Sequence, residues 1–91
     1  MPTELILRGD VQGVFCREFC GRIGNKLGVR GAASNLRDGT VRVLLDSEDP
    51  ALLDKFITQL KTNPYGFRFF GKISDVSISP FQGEMRGDRV F

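Results

Sequence analysis

The order of local signals along these 91 residues predicts an α+β sandwich. Three observations carry the prediction. Short apolar runs have strand character, two other stretches repeat their apolar residues at the helical period, and the two kinds alternate as strand, helix, strand, strand, helix, strand. Two strand–helix–strand units, each right-handed, interleave most simply into one antiparallel sheet of four to five strands with both helices on one face. This is the ferredoxin-like βαββαβ sandwich, expected as a single domain over residues 1–91. The fold alone assigns no activity.

Each element has its own local reason. Glu4-Leu5-Ile6-Leu7-Arg8 is short and apolar and is closed by Gly9, as suits a first strand. Phe19, Cys20, Ile23 and Leu27 fall on one helical stripe, and Gly28 stands where a C-terminal cap glycine belongs. Gly21 and Gly24 weaken that helix by roughly 1 kcal/mol each relative to alanine, which fits a helix lying close on a sheet. Val29 to Asn35 forms a small apolar second strand, and Asp38-Gly39 is a hairpin signal. Thr40 to Leu45 alternates, placing Val41, Val43 and Leu45 on one face. Asp49-Pro50 supplies an N-cap and a first-turn proline for a helix carrying Leu52, Leu53, Phe56, Ile57 and Leu60. Asn63-Pro64-Tyr65-Gly66 ends it. Lys72 to Ser79 reads as the fourth strand, with Ile73 and Val76 out of phase, which calls for a bulge or a later start. Met85 to Phe91 reads as a short edge strand.

The composition is that of an ordinary globular protein, 41% hydrophobic and 26% charged, with eight phenylalanines to fill a core. The net charge of +2 is too small and too dispersed to predict a nucleic-acid partner. A small anionic substrate remains compatible with it. No run approaches the eighteen apolar residues of a membrane span, and Met1 to Glu4 lead straight into the first strand without a basic, hydrophobic leader, so the expectation is a cytoplasmic monomer with no membrane association. Two cysteines, Cys16 and Cys20, are one helical turn apart, poorly aimed for a disulfide. There is no histidine and no metal-ligand cluster, so no metal and no cofactor are expected.

Chemistry therefore falls to residues 9–17, Gly-Asp-Val-Gln-Gly-Val-Phe-Cys-Arg. A loop between a strand and a helix start presents backbone N–H groups at the positive end of the helix dipole. Glycines let such a backbone close around an anion, and Arg17 adds a planar fork of donors. A tight connection with a solvated arginine explains the same spacing. No Walker-type Gly-Lys-Ser/Thr follows Gly13.

Gly9-x-Val11-Gln12-Gly13-Val14-x-x-Arg17, then Lys26-Leu27-Gly28, then Gly31-x-x-x-Asn35-Leu36-x-Asp38-Gly39-Thr40-Val41, resembles the acylphosphatase family, in register from residue 5 to about 60. The resemblance implies the same ferredoxin-like fold and the cofactor-free hydrolysis of an acyl phosphate to a carboxylate and inorganic phosphate. It also implies roles. The backbone amides of Val11, Gln12, Gly13, Val14, Phe15, Cys16 and Arg17 would cradle the phosphate, Arg17 would bind it, and Asn35 would position the attacking water. The composition agrees with that chemistry, because phosphoryl transfer depends on positioning and electrostatic stabilisation, and a carboxylate leaves without a general acid.

The sequence departs from the family pattern at several places. Asp10 stands where the family carries a basic residue. An exposed carboxylate ~6 Å from a phosphate charge costs about 0.7 kcal/mol per charge in water. Cys16 replaces an aromatic or glycine, either as a small buried apolar residue or as an oxidisable thiol. Ala32-Ala33-Ser34 is less bulky than usual, and Phe67 to Lys72 is longer. Gln12 is expected to bond the loop to itself, and Lys26 and Arg30 to be solvated.

Three rival readings follow from other features. A ferredoxin-like domain could bind anions or a protein without catalysis. Cys16 and Arg22 have the spacing of a cysteine-nucleophile phosphatase, though that loop would consume the stripe of the first helix. Tyr65-Gly66-Phe67-Arg68-Phe69-Phe70 echoes the aromatic motif of RNA-recognition domains, but that motif belongs on the third strand. Packing of these phenylalanines on the core, or an exposed partner patch, explains them as well.

Overall fold

The computed structural model describes residues 2–91. Its elements are β1 (Thr3–Asp10), α1 (Cys16–Leu27), β2 (Gly31–Asn35), β3 (Val41–Leu45), α2 (Pro50–Thr62), β4 (Lys72–Pro80) and β5 (Arg89–Val90). The strands form one antiparallel sheet in the order β4-β1-β3-β2-β5. Phe19 and Ile23 of α1 and Phe56 and Leu60 of α2 share one core with Leu5, Leu7, Ala33, Val41, Val43 and Leu45 of the sheet, so both helices cover the same face. Phe19 and Phe56 are completely buried. Each such side chain contributes about 2–3 kcal/mol relative to an exposed one. No helix among the described residues is long and apolar enough to cross a membrane.

The local signals act as their chemistry requires. Gly28 caps α1 in the left-handed conformation, at φ 72°. Asp49 caps α2 by accepting from the Ala51 N–H at 3.1 Å, with Pro50 in the first turn. In the hairpin between β2 and β3, Asp38 Oδ1 accepts from the backbone N–H and the hydroxyl of Thr40. These bonds hold the Asp38 carboxyl below its ordinary pKa.

Several boundaries move for identifiable reasons. Gly9 does not end β1. It sits inside the strand at φ 128°, where an added Cβ would lie 2.3 Å from the Lys72 carbonyl oxygen. The register slips there, with Arg8 opposite Asp75 and Gly9 opposite Ile73, leaving Ser74 as the extra residue of a bulge. Its hydroxyl donates to the Arg8 carbonyl. The second strand starts at Gly31, not Val29, because the Val29 N–H is still engaged by the Gly24 carbonyl of the helix end. The edge strand shrinks to Arg89–Val90, extended by reciprocal backbone bonds between Phe91 and Gly31.

Two sequence puzzles resolve in the packing. The helix glycines are cut away for a ring: an alanine Cβ at Gly24 would lie 2.4 Å from the Phe91 ring, and Gly21 and Gly31 border the same ring. Residues 65–70 run antiparallel along α1. Phe69 stacks on Phe19 at 4.7 Å, Arg22 lies over Phe67 at 5.7 Å, and Lys26 lies over Tyr65 at 5.2 Å. The segment is therefore a strap on the helix, not an RNA-binding strand face. Lys26 is exposed but has an aromatic partner, and Arg30 is exposed.

Candidate active site

The loop after β1 combines two left-handed residues, Gly13 at φ 74° and Phe15 at φ 67°. A bulky residue is strained there, and such strain is typical of functional loops. Phe15 is also the N-cap of α1 and makes no side-chain cap bond. Carbonyl oxygens secure the loop: Val14 accepts from the Phe70 N–H, and Phe15 from the Phe19 N–H. Among the described residues, no backbone N–H from 12 to 15 donates to another backbone group. Donors at a helix start are thus without a backbone partner.

Gln12 does not bond the loop to itself. Its side-chain amide donates to the Leu36 and Thr40 carbonyls, at 2.6 and 2.9 Å, tying the loop to the β2–β3 turn. That bridge fixes the loop against the end of β2, where Asn35 stands. Val11, Gly13, Phe15, Cys16, Arg17 and Asn35 line one pocket of about 480 Å³. Gln12 and Val14 do not line it; the Val14 side chain packs against Gly71 and the core. Asp10 is exposed and also lies outside the pocket lining.

Arg17 occupies the first turn of α1, where a cation opposes the helix dipole at a cost of about 0.3–1 kcal/mol. A carboxylate answers it. Asp88 Oδ2 lies 3.2 Å from Arg17 Nη1 and accepts from the Asn35 backbone N–H at 3.0 Å. The Asp88 N–H in turn donates to Ser34 Oγ. Nothing in the local sequence around Gly87-Asp88-Arg89 marks this role, because β5 brings it in from the far end of the chain. Glu18, Arg68 and Arg89 also line the pocket, and nothing in their local sequence marks them for it. The Arg68 hydrogen bond, followed by the Arg68 charge and Arg22, holds the Glu18 carboxyl below its usual pKa against the effect of burial.

The cysteine-phosphatase arrangement is not formed. α1 runs unbroken from Cys16 through Arg22, so no loop joins the two. Arg22 is instead an exposed partner of Glu18 at 3.4 Å. Both cysteines are free and buried, and a hydrogen bond with Cys16 together with burial pushes the Cys20 thiol well up.

Fold and site together define an α/β sandwich of the ferredoxin-like class, with a glycine-bearing loop opening into a pocket at the start of its first helix. The sequence matches the family model described as Acylphosphatase over residues 3–88, and the chain belongs to that family. It is 39% identical over 64 residues to an acylphosphatase of Archaeoglobus fulgidus, covering 70% of this chain and 71% of that one. It is 35% identical over 91 residues to an acylphosphatase of Pyrobaculum arsenaticum, covering 97% and 90%. The crystal structure of acylphosphatase from Bacillus subtilis superposes with a TM-score of 0.74 at 28% identity, covering 99% of this chain and 98% of that one.

Proposed function

We infer that this protein hydrolyses acyl phosphates to a carboxylate and inorganic phosphate, with the backbone amides of residues 11–17 and Arg17 holding the phosphoryl group and Asn35 directing the water. The observation that carries the reading is the anion already seated there, the Asp88 carboxylate on Arg17 and Asn35. A phosphoryl oxygen has the same need for donors, and the loop offers more of them.

In this reaction, water attacks phosphorus and the bond from phosphorus to the bridging acyl oxygen breaks. The carboxylate departs with that oxygen, and the protons of the water remain on the phosphate. Charge spreading over the equatorial phosphoryl oxygens is met by the loop amides, the helix dipole and the Arg17 guanidinium. The Asn35 side-chain oxygen accepts from the water and aims its lone pair. No group has to titrate to make the leaving group go.

One copy of the chain supplies every residue named, which supports a monomeric enzyme. The two free buried thiols suit a reducing compartment, here the cytoplasm. The test is hydrolysis of benzoyl phosphate without added metal by wild type, Arg17→Ala, Asn35→Ala and Cys16→Ser. Loss in the first two variants with retention in the third is expected. Activity that depends on Cys16 would point to a thiolate nucleophile. Folded wild type without turnover would remove the enzyme reading.

A further inference from the structure

The pocket holds a second group of guanidiniums apart from Arg17. Glu18 takes ion pairs from three guanidiniums, Arg68 at 3.1 Å, Arg22 at 3.4 Å and Arg89 at 4.0 Å. Arg22 lies outside the pocket, whose lining sets three guanidiniums, Arg17, Arg68 and Arg89, against two carboxylates, Glu18 and Asp88, and so carries one net positive charge. Arg68 and Arg89 line the same pocket as Arg17. Asp88, the other carboxylate of that lining, is committed to Arg17 and Asn35.

Arg68 is also held in orientation. Its guanidinium lies 3.9 Å from the centroid of the Phe15 ring, and the Phe70 ring meets Phe15 edge-on at 5.7 Å. A guanidinium stacked on a ring keeps its N–H donors in plane, the geometry a carboxylate accepts. Phe15 belongs to the phosphate loop itself, so this platform adjoins the place where the phosphoryl group sits. The cavity volume falls in the range that admits drug-sized ligands, leaving room for the acyl group beside the phosphate.

We propose that Arg68, assisted by Arg89, binds a carboxylate on the acyl part of the substrate, so that the preferred substrates are monoacyl phosphates of dicarboxylic acids. The proposal rests on the reading of this pocket as an acyl phosphate site.

The test compares kcat/KM for 4-carboxybenzoyl phosphate and benzoyl phosphate, two rigid substrates that differ in one distal charge. At low ionic strength the wild type is expected to favour the carboxylated substrate about tenfold, mainly through KM, a value reduced for the partial exposure of Arg68. The preference shrinks at about 0.5 M salt, where the screening length is about 4 Å. Arg68→Gln brings it to near unity, and Arg89→Gln leaves an intermediate value. Equal hydrolysis of both substrates by wild type, or a preference that survives Arg68→Gln, overturns the carboxylate subsite and leaves the acylphosphatase reading intact. Hydrolysis of neither substrate overturns both.

Discussion

Asp88 puts a carboxylate oxygen 3.2 Å from Arg17 Nη1 and 3.0 Å from the Asn35 backbone nitrogen. A phosphate that takes the same guanidinium must displace this oxygen or share with it. With charges about 5 Å apart, sharing costs about 0.8 kcal/mol per unit of phosphate charge in water, and more as the dielectric falls. The Asp88 side chain is about half exposed, at 49%, so the low end applies and a dianion meets about 1–2 kcal/mol. Asp88→Asn removes that repulsion while keeping the side chain's size. Inorganic phosphate should then inhibit benzoyl phosphate hydrolysis with a Ki about five- to thirtyfold lower, each 1.4 kcal/mol being worth about tenfold. The assay is competitive inhibition at low salt and again at about 0.15 M, where a screening length of about 8 Å narrows the difference. A weaker Ki in the variant refutes competition. It would mean that the carboxylate holds Arg17 in its working position, and that losing this support outweighs the repulsion.

Three further outcomes are expected. Gly9→Ala should destabilise the fold by about 2–3 kcal/mol in urea denaturation, because a Cβ there meets the Lys72 carbonyl at 2.3 Å and φ is 128°. Gly24→Ala should cost about 1 kcal/mol in the native background, where it evicts the Phe91 ring, yet gain about 1 kcal/mol in a Phe91→Ala background through helix propensity; the same sign in both backgrounds would contradict the packing. Glu18→Gln should be less stable than wild type at neutral pH. The folded-state pKa of Glu18 is depressed, so its contribution is present above the unfolded value and is lost as pH falls through the lower folded value. Chemical denaturation at pH 7 and at pH 3 should show the gap narrowing at the acidic end. A gap that widens there would contradict the arginine cluster.

The parts of the fold legible in sequence are those decided by neighbours in the chain. Asp38-Gly39, Asp49-Pro50 and Gly28 act within a turn of where they stand, and the alternation of Val41, Val43 and Leu45 places a face without reference to the rest. The loop that opens into the pocket is legible because its glycines and Arg17 stand close together in the chain. What stayed hidden depends on partners far along the chain. The reason for Gly24 is the ring of Phe91, and the partner of Arg17 is Asp88. Local sequence points Gln12 into its own loop, because its bonding distance to Leu36 and Thr40 exists only after β2 and β3 have paired. Residues 65–70 carry neither period, since they are spaced to match the side chains of α1.

That strap has a firm end and a loose one. At the α2 side, Asn63 clamps Phe67 through both its side-chain atoms, accepting from the Phe67 N–H at 2.9 Å and donating to its carbonyl at 2.8 Å. At the pocket side, the backbone is held by the Phe70 bond to Val14, at 3.2 Å, while Phe70 itself is 70% exposed. The loop that carries Arg17 and the pocket wall at Arg68 thus come from separate stretches of chain, joined by one backbone bond, stacked rings and the ion pair of Arg68 with Glu18. Substitutions in the strap can reshape the pocket wall without changing the loop that carries Arg17. In this arrangement the two sides of the pocket are separate targets for change.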